Sequence, residues 1–241
     1  MDKKVVNGKL YLIPAPLGDV PATSAVPDQV IDILASLKHF IVEEVRTARR
    51  FLKKAVPAIN IDSLTFHVFN EHTDRTDLSG FLIPLHEGHD IGLLSEAGLP
   101  CIADPGAEIV KLAHERNIRV IPLTGPSSLL LALVASGFNG QNFTFHGYLP
   151  VDRQERKRKL KELERASQIY RQTQIFIETP YRNIRMFEAI VESCMDSTLL
   201  CIAAGITTEN EYIRTKNVKE WKRNPPPIEK IPAVFLLYSE K

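Results

Sequence analysis

The chain has 241 residues, 44% of them hydrophobic and 24% charged, enough to bury a substantial core as one large domain or two modest ones. Lys and Arg number 30 against 29 Asp and Glu, a formal net charge of +1, so no global attraction draws this chain to nucleic acid. DNA is not expected as a partner, and RNA contact requires a local basic patch.

In chain order, Leu10 to Ile13, Phe40 to Val42, Leu64 to Val68, Ile91 to Leu94 and Arg119 to Leu123 read as strands. The first, fourth and fifth end in turns containing Pro or Gly. Pro27 to Leu37 carries Val30, Ile31, Ile33, Leu34 and Leu37 at helical spacing, and Ala107 to Arg116 does the same with Ile109, Val110, Leu112 and Ala113. Alternating β and α elements predict a largely parallel sheet.

An apolar helix follows at Leu129 to Val134, and then the strands lengthen: Asn142 to Leu149, Gln172 to Thr179, Leu199 to Ile206, Glu211 to Val218 and Ala233 to Ser239. Helices at Arg153 to Ala166 and Asn183 to Glu192 interrupt them. This texture favours a mixed sheet with antiparallel members. The fold class is therefore α/β, with a parallel N-terminal domain at 1–124 and a mixed-sheet C-terminal domain at 125–241.

The three cysteines, Cys101, Cys194 and Cys201, make no C-x-x-C pair and no zinc spacing, which suits a reducing cytoplasm. No basic start, apolar run and cleavage site combine near the N-terminus, and no uninterrupted apolar stretch is long enough to cross a bilayer. A cytoplasmic protein with no membrane contact is expected. No G-x-G-x-x-G follows the first strand and no G-x-x-x-x-G-K-[ST] occurs, which argues against dinucleotide folds, the commoner Rossmann methyltransferases and P-loop enzymes.

The most informative segment is Asp90 to Gly106, where a short apolar strand breaks into Ser95-Glu-Ala-Gly-Leu-Pro100 and then Asp104-Pro-Gly106. In open parallel sheets such a crevice at the strand carboxyl ends receives ligand, and Gly lets backbone approach it. An ordinary strand-to-helix connection, with Asp104 as N-cap and Pro105 at the first helical position, explains the same residues. Thr124-Gly-Pro-Ser-Ser128 also opens a helix after a strand, so its free N–H groups either meet an anionic ligand or are capped by Ser127.

Together with Leu10-Tyr-Leu-Ile-Pro-Ala-Pro-Leu-Gly-Asp19 and Ile175-Phe-Ile-Glu-Thr-Pro-Tyr-Arg182, these segments resemble the tetrapyrrole methylase superfamily of S-adenosylmethionine-dependent methyltransferases. The likeness is strongest to the branch that methylates a ribose 2'-hydroxyl of small-subunit ribosomal RNA. It covers nearly the whole chain from about Leu10. It implies a cofactor cleft between the domains, a homodimer, and a ribosomal RNA or small-subunit partner. It assigns cofactor contact to Pro14, Ser95, Glu96, Ala97, Gly98, Pro100, Gly125, Pro126, Ser127, Ser128, Glu178 and Ala233.

Glu43-Glu-Val-Arg46 stands where that branch usually has Glu-Asp-Thr-Arg, and His67-Val-Phe-Asn-Glu71 resembles its His-x-x-Asn-Glu. Glu43, Arg46, His67 and Glu71 are the catalytic candidates: carboxylate and imidazole as proton acceptors, guanidinium as a bidentate phosphate or hydroxyl grip. The alternatives are a Glu-rich helix start with Arg46, Arg49 and Arg50 on a solvated face, and a merely polar loop. His67-Val-Phe-Asn-Glu-His72 matches no zinc motif, and no metal is expected.

Two departures bear on the acceptor. Ala204-Gly-Ile-Thr-Thr208 replaces Arg-Glu-Leu-Thr-Lys of the RNA branch, and Lys230-Ile-Pro232 followed by Ala233 replaces its Lys-Gly-Glu. A precorrin-like macrocycle or other small molecule stays open as acceptor, as does a non-catalytic cofactor- or RNA-binding relative. The basic run Arg153 to Lys161 is either a phosphate-contacting helix or a solvated face partnered by Glu155, Glu162 and Glu164.

Overall fold

The computed structural model describes residues 7–76 and 78–239. The chain divides between Ser127 and Ser128 into two compact units.

The first unit runs β1 (Leu10–Ile13), α1 (Ala22–Ala25), α2 (Asp28–Ser36), β2 (His39–Val42), α3 (Val45–Ala55), β3 (Thr65–Val68), α4 (Ile83–His86), β4 (Ile91–Leu94), α5 (Gly106–Glu115) and β5 (Val120–Pro122). Its sheet has the order β3-β2-β4-β1-β5, and every pairing is parallel. The chain moves outward from β1 to β2 and β3, then returns through β4 to β5. With right-handed crossovers this reversal puts helices on both faces.

The packing agrees. Val30 and Leu34 of α2 and Ala48 and Leu52 of α3 pack with Ile13, Phe40, Val42 and Leu94, whereas Leu85 of α4 and Ile109 and Ala113 of α5 pack with Leu10, Ile41, Ile91 and Leu93. Alternate strand residues thus serve opposite cores, so β4 is buried throughout and reads as a continuous apolar run. Adjacent β1 and β4 send their following loops to opposite faces, which opens a crevice at their carboxyl ends.

The second unit runs α6 (Ser128–Ser136), β6 (Phe143–Tyr148), α7 (Arg153–Tyr170), β7 (Thr173–Glu178), α8 (Asn183–Ser193), β8 (Leu199–Ala204), β9 (Tyr212–Asn217), α9 (Val218–Arg223) and β10 (Ala233–Tyr238). The sheet order is β6-β7-β10-β8-β9. Only β6 and β7 pair in parallel; the other pairings are antiparallel. This is the mixed sheet expected from the sequence. Leu160 and Leu163 of α7, Phe187 and Ile190 of α8 and Trp221 of α9 cover Phe176, Ile202 and Phe235 of the sheet, and the Trp221 indole donates to the Leu200 carbonyl at 2.9 Å.

Several elements differ from the sequence reading. Helix α7 continues past Ala166 to Tyr170 and ends where Arg171 turns left-handed, with φ of 49°; no breaker occupies 167–170 to stop it sooner. Strand β9 stops at Asn217 because that side chain caps α9 in a reciprocal box with Glu220, which makes Val218 the first helical residue rather than a strand end. Helices α1, α4 and α9 are not among the expected elements, and α3 stands there only as the alternative reading of Glu43 to Arg50. Among the described residues, no helix is long and apolar enough to cross a membrane.

Candidate functional site

In the first unit, the turns after β1, β4 and β5 lock together. Ala15 donates to the Gly98 carbonyl at 2.9 Å and Gly98 donates back to the Ala15 carbonyl at 3.0 Å. Gly98 has φ of +74°, the left-handed region that only glycine enters without cost. The turn after β5 closes on the same place, because Gly125 lies so near Pro14 that a Cβ would stand 2.2 Å from the proline Cβ. Pro14, Gly98 and Pro100 are buried within this junction, as are Ser95 and Ser127, while Glu96 and Ala97 are exposed.

The loop between this junction and α5 is held by one carboxylate. Asp104 accepts from the Cys101 N–H at 2.9 Å and the Gly106 N–H at 2.7 Å. Cys101 and Ala103 between them take φ of 70° and 62°, which costs a residue with a Cβ roughly 1–2 kcal/mol each. Strain of this kind persists where surrounding bonds over-determine it. The helix starts at Gly106, after Pro105, one position later than the expected Pro105 start. Asp104 nevertheless satisfies its first free N–H. Burial raises the Asp104 carboxyl above the usual carboxylate range, against the lowering effect of those N–H groups.

Beside the junction lies a cavity of about 280 Å³. Leu17 to Val20 of the β1 loop form one wall, Ser95 to Ala97 of the β4 loop another, and α3 a third through Thr47, Ala48, Arg50, Phe51 and Lys54; Val42 and Leu94 lie at the strand ends. Glu43, immediately after β2, also lines it, and its Oε1 accepts from the Glu96 N–H at 3.4 Å. Burial raises the Glu43 carboxyl above its ordinary value, and the charge of Asp104 adds to the rise. A carboxylate held this way is a stronger proton acceptor than an exposed one.

The other catalytic candidates are spread more widely. Glu44 caps α3 by accepting from the Arg46 N–H at 2.9 Å, so a helix does start in this segment, although Arg50 lines the cavity and does not stand on a wholly solvated face. Arg46 itself is exposed and its guanidinium enters no ion pair among the described residues, nor does it line the cavity. His67 points into β3's own surroundings: its ring lies 6.1 Å from His39 and 6.5 Å, edge-on, from Phe81. Its side chain therefore faces the interior of the β2–β3 layer and does not line the cavity. Glu71 is exposed beside His72, while its neighbour Asn70 donates to the Glu43 carbonyl at 3.3 Å.

In the second unit, Glu178 and Ala233 are register partners across β7 and β10, and Ala204 pairs with Ala233 on the other side. The Glu178 carboxylate is buried and already bound: Arg182 donates to it at 2.7 and 2.9 Å, and the Thr179 N–H at 2.7 Å. Thr179 and Pro180 begin a single 3-10 turn, with α8 following from Asn183. Ser128 is the first residue of α6.

The basic run on α7 is largely committed internally. Arg153 and Lys157 both reach Glu192 of α8, at 3.2 and 2.7 Å. Arg156 is buried and donates to the Val151 carbonyl at 2.9 Å. Sequence reasoning missed the cavity-lining role of Thr47, Arg50, Phe51 and Lys54. The available signal was their i, i+3, i+4, i+7 spacing after Glu43, which sets them on one side of a helix. No group of His, Cys, Asp and Glu among the described residues could hold a metal ion.

A reversed parallel sheet with a crevice at its strand ends and a separate mixed sheet define a two-unit α/β fold, and the sequence comparison supplies the class. Residues 9–222 match the tetrapyrrole (corrin/porphyrin) methylases, and the chain belongs to that family. Membership makes it a methyltransferase and implies S-adenosylmethionine as methyl donor. Among its relatives, ribosomal RNA small subunit methyltransferase I of Vibrio cholerae serotype O1 is 31% identical over 215 residues, spanning 88% of this chain and 70% of that protein. The protein of the same name from Bacillus subtilis is 32% identical over 207 residues, spanning 86% and 67%. Of solved structures, the methyltransferase CobJ superposes with a TM-score of 0.63 at 17% identity, over 96% of this chain and 94% of that one. Cobalt precorrin-4 methyltransferase CbiF gives 0.61 at 16%, over 95% and 94%. Those structures share the fold.

Proposed function

We propose that the protein transfers a methyl group from S-adenosylmethionine to a ribose 2'-hydroxyl of small-subunit ribosomal RNA. The observation that carries this reading is the interlocked junction of Pro14, Ala15, Gly98 and Gly125 beside a cavity holding Glu43, in a chain about 30% identical to ribosomal RNA methyltransferases over most of its length. A homodimer and a cytoplasmic setting belong to the same reading.

The residues of the junction suit the donor chemically. Tight turns bring backbone N–H and C=O groups to the sheet edge, Ser95 and Ser127 add buried hydroxyls, and Glu96 presents a carboxylate. When bound, the donor supplies a methyl group on a cationic sulfur. The protein's task is alignment of the acceptor oxygen, which contributes more to such a displacement than proton transfer does. Glu43 takes the hydroxyl proton, helped by the burial that raises its basicity. Arg46, exposed beside the helix start and without an ion pair among the described residues, holds a phosphate of the acceptor strand.

The test uses purified protein, labelled S-adenosylmethionine and small ribosomal subunits from cells lacking this protein. Label is expected in the RNA, at a ribose that resists alkaline cleavage. Protein that binds S-adenosylhomocysteine but labels neither subunits nor their RNA would sink the RNA acceptor; a small-molecule acceptor, favoured by the Ala204 to Thr208 departure, would then take its place.

A further inference from the structure

We infer that the cavity beside Glu43 seats a single unstacked nucleotide of the acceptor strand, with its phosphate on Arg50 and Lys54 and its base against Phe51. The inference rests on the methyltransferase reading and names the acceptor subsite within it. The chemistry of the cavity changes along α3. Glu43 and Glu96 stand at the strand ends, apolar surface from Val42, Ala48 and Leu94 follows, and Phe51, Arg50 and Lys54 come last. A nucleotide fits this arrangement when its ribose, which joins base to phosphate, turns the 2'-hydroxyl toward Glu43 while the base diverges toward Phe51 and the phosphate toward Arg50 and Lys54.

The cations are available for such a ligand. The Arg50 guanidinium enters no ion pair among the described residues, and Lys54 pairs at 2.5 Å with Asp19 on the opposite wall, both ends exposed. An exposed pair exchanges partners cheaply, and a strand phosphodiester, with one charge and two free oxygens, can accept from both cations at once. At about 280 Å³ the cavity lies just below the usual range of roughly 300–1,000 Å³ for ligand sites. It takes one nucleotide and not a stacked run, so that nucleotide must leave its neighbours.

The residues that the family resemblance assigns to the donor are a different set. Pro14, Gly98, Pro100, Gly125, Pro126 and Ser127, assigned to the donor, do not line this cavity. The Ala15–Gly98 bridge separates the two sets, and only Ser95, Glu96 and Ala97 belong to both. Donor and acceptor thus meet at the β4 loop, next to Glu43.

The experiment titrates the ribonucleoside 5'-monophosphates and the matching nucleosides into full-length protein, with and without saturating S-adenosylhomocysteine. At least one monophosphate is expected to bind at millimolar concentration, its nucleoside about tenfold more weakly, and neither to be displaced by S-adenosylhomocysteine. Combined Arg50→Gln and Lys54→Gln should reduce the monophosphate to the nucleoside's affinity while leaving S-adenosylhomocysteine affinity unchanged. Phe51→Leu, which keeps the partly buried position apolar, should weaken nucleotide and nucleoside alike. Displacement by S-adenosylhomocysteine, an unchanged preference in the double variant, or no nucleotide binding at all would overturn the subsite. Failure to bind S-adenosylhomocysteine, with no methyl transfer to RNA, instead strikes the methyltransferase reading, and is scored separately in the same titrations.

Discussion

Gly125 rests directly on Pro14: a Cβ added at Gly125 would lie 2.2 Å from the proline Cβ and 2.3 Å from its Cγ. A pyrrolidine ring cannot rotate away as a flexible side chain does, so the β5 turn itself must move. Gly125→Ala should therefore destabilise the first unit by about 1–3 kcal/mol and weaken S-adenosylhomocysteine binding. Gly140 has nothing within 4 Å of its added Cβ and Gly140→Ala is the matched control. Thermal melting and calorimetry of the pair decide the matter; equal behaviour would mean that the turn contact is dispensable.

The carboxyl of Glu43 gives the second test. Because burial and the Asp104 charge raise its value above the ordinary 4.5, the proton-accepting form is lost at a higher pH than for an exposed glutamate. Methyl transfer should accordingly fall as pH drops through that raised value, and Asp104→Asn should move the fall to lower pH. Glu43→Gln should lower kcat by about 10²–10⁴-fold, the usual contribution of a general base. A flat pH–rate profile in wild type, or full activity in Glu43→Gln, would remove Glu43 from proton transfer.

How much of this was legible in the sequence depends on the physics of each element. Strands such as Ile91 to Leu94 are buried on both faces and stand out as apolar runs. Helix α3 is harder, since Val45-Arg-Thr-Ala-Arg-Arg-Phe-Leu-Lys-Lys-Ala55 has a narrow apolar side formed by Ala48, Leu52 and Ala55. Its polar residues read as solvated when some of them line a cavity. The Asn217–Glu220 box was a readable helix start hidden behind a strand-like run. For His67, side-chain alternation in β3 decides which way the ring points, and the motif alone carries no such information. The Pro14–Gly125 contact joins distant turns, so only the fold reveals it.

A third expectation concerns the histidines below the sheet. His39 lies 6.1 Å from His67 and 5.3 Å from His89, ring to ring, and buried His39 Nδ1 and His67 Nε2 have no hydrogen-bond partner among the described residues. Burial lowers both imidazoles below the ordinary 6.5, and for His39 the neighbouring His89 and His67 add to the fall while Glu87 opposes it. Below 6.5 the unfolded chain binds protons that the folded chain refuses. Stability is therefore complete above that value and is lost as pH falls toward the depressed folded values. The melting temperature should drop as pH falls from about 6.5 toward about pH 5, and the combined His39→Gln and His67→Gln variant should drop less. An identical fall in both proteins would place the acid sensitivity elsewhere.

The basic helix supplies the last test. Replacing Arg153, Arg156 and Lys157 together would confuse two effects, because Arg156 is buried with its Nη1 on the Val151 carbonyl at 2.9 Å. Arg156→Ala leaves that loop carbonyl without its donor and should cost about 1–3 kcal/mol of stability, with any loss of RNA binding following from misfolding. Arg153 and Lys157 are bound to Glu192 at the surface, so Arg153→Gln with Lys157→Gln should leave the melting temperature unchanged. If these cations also touch phosphate, the double variant binds small-subunit RNA more weakly and with a shallower salt dependence, since each lost phosphate contact releases fewer counterions. An unchanged affinity and salt slope would assign them to the α7–α8 ion pair alone, and would leave Arg46, Arg50 and Lys54 as the cations that meet the acceptor.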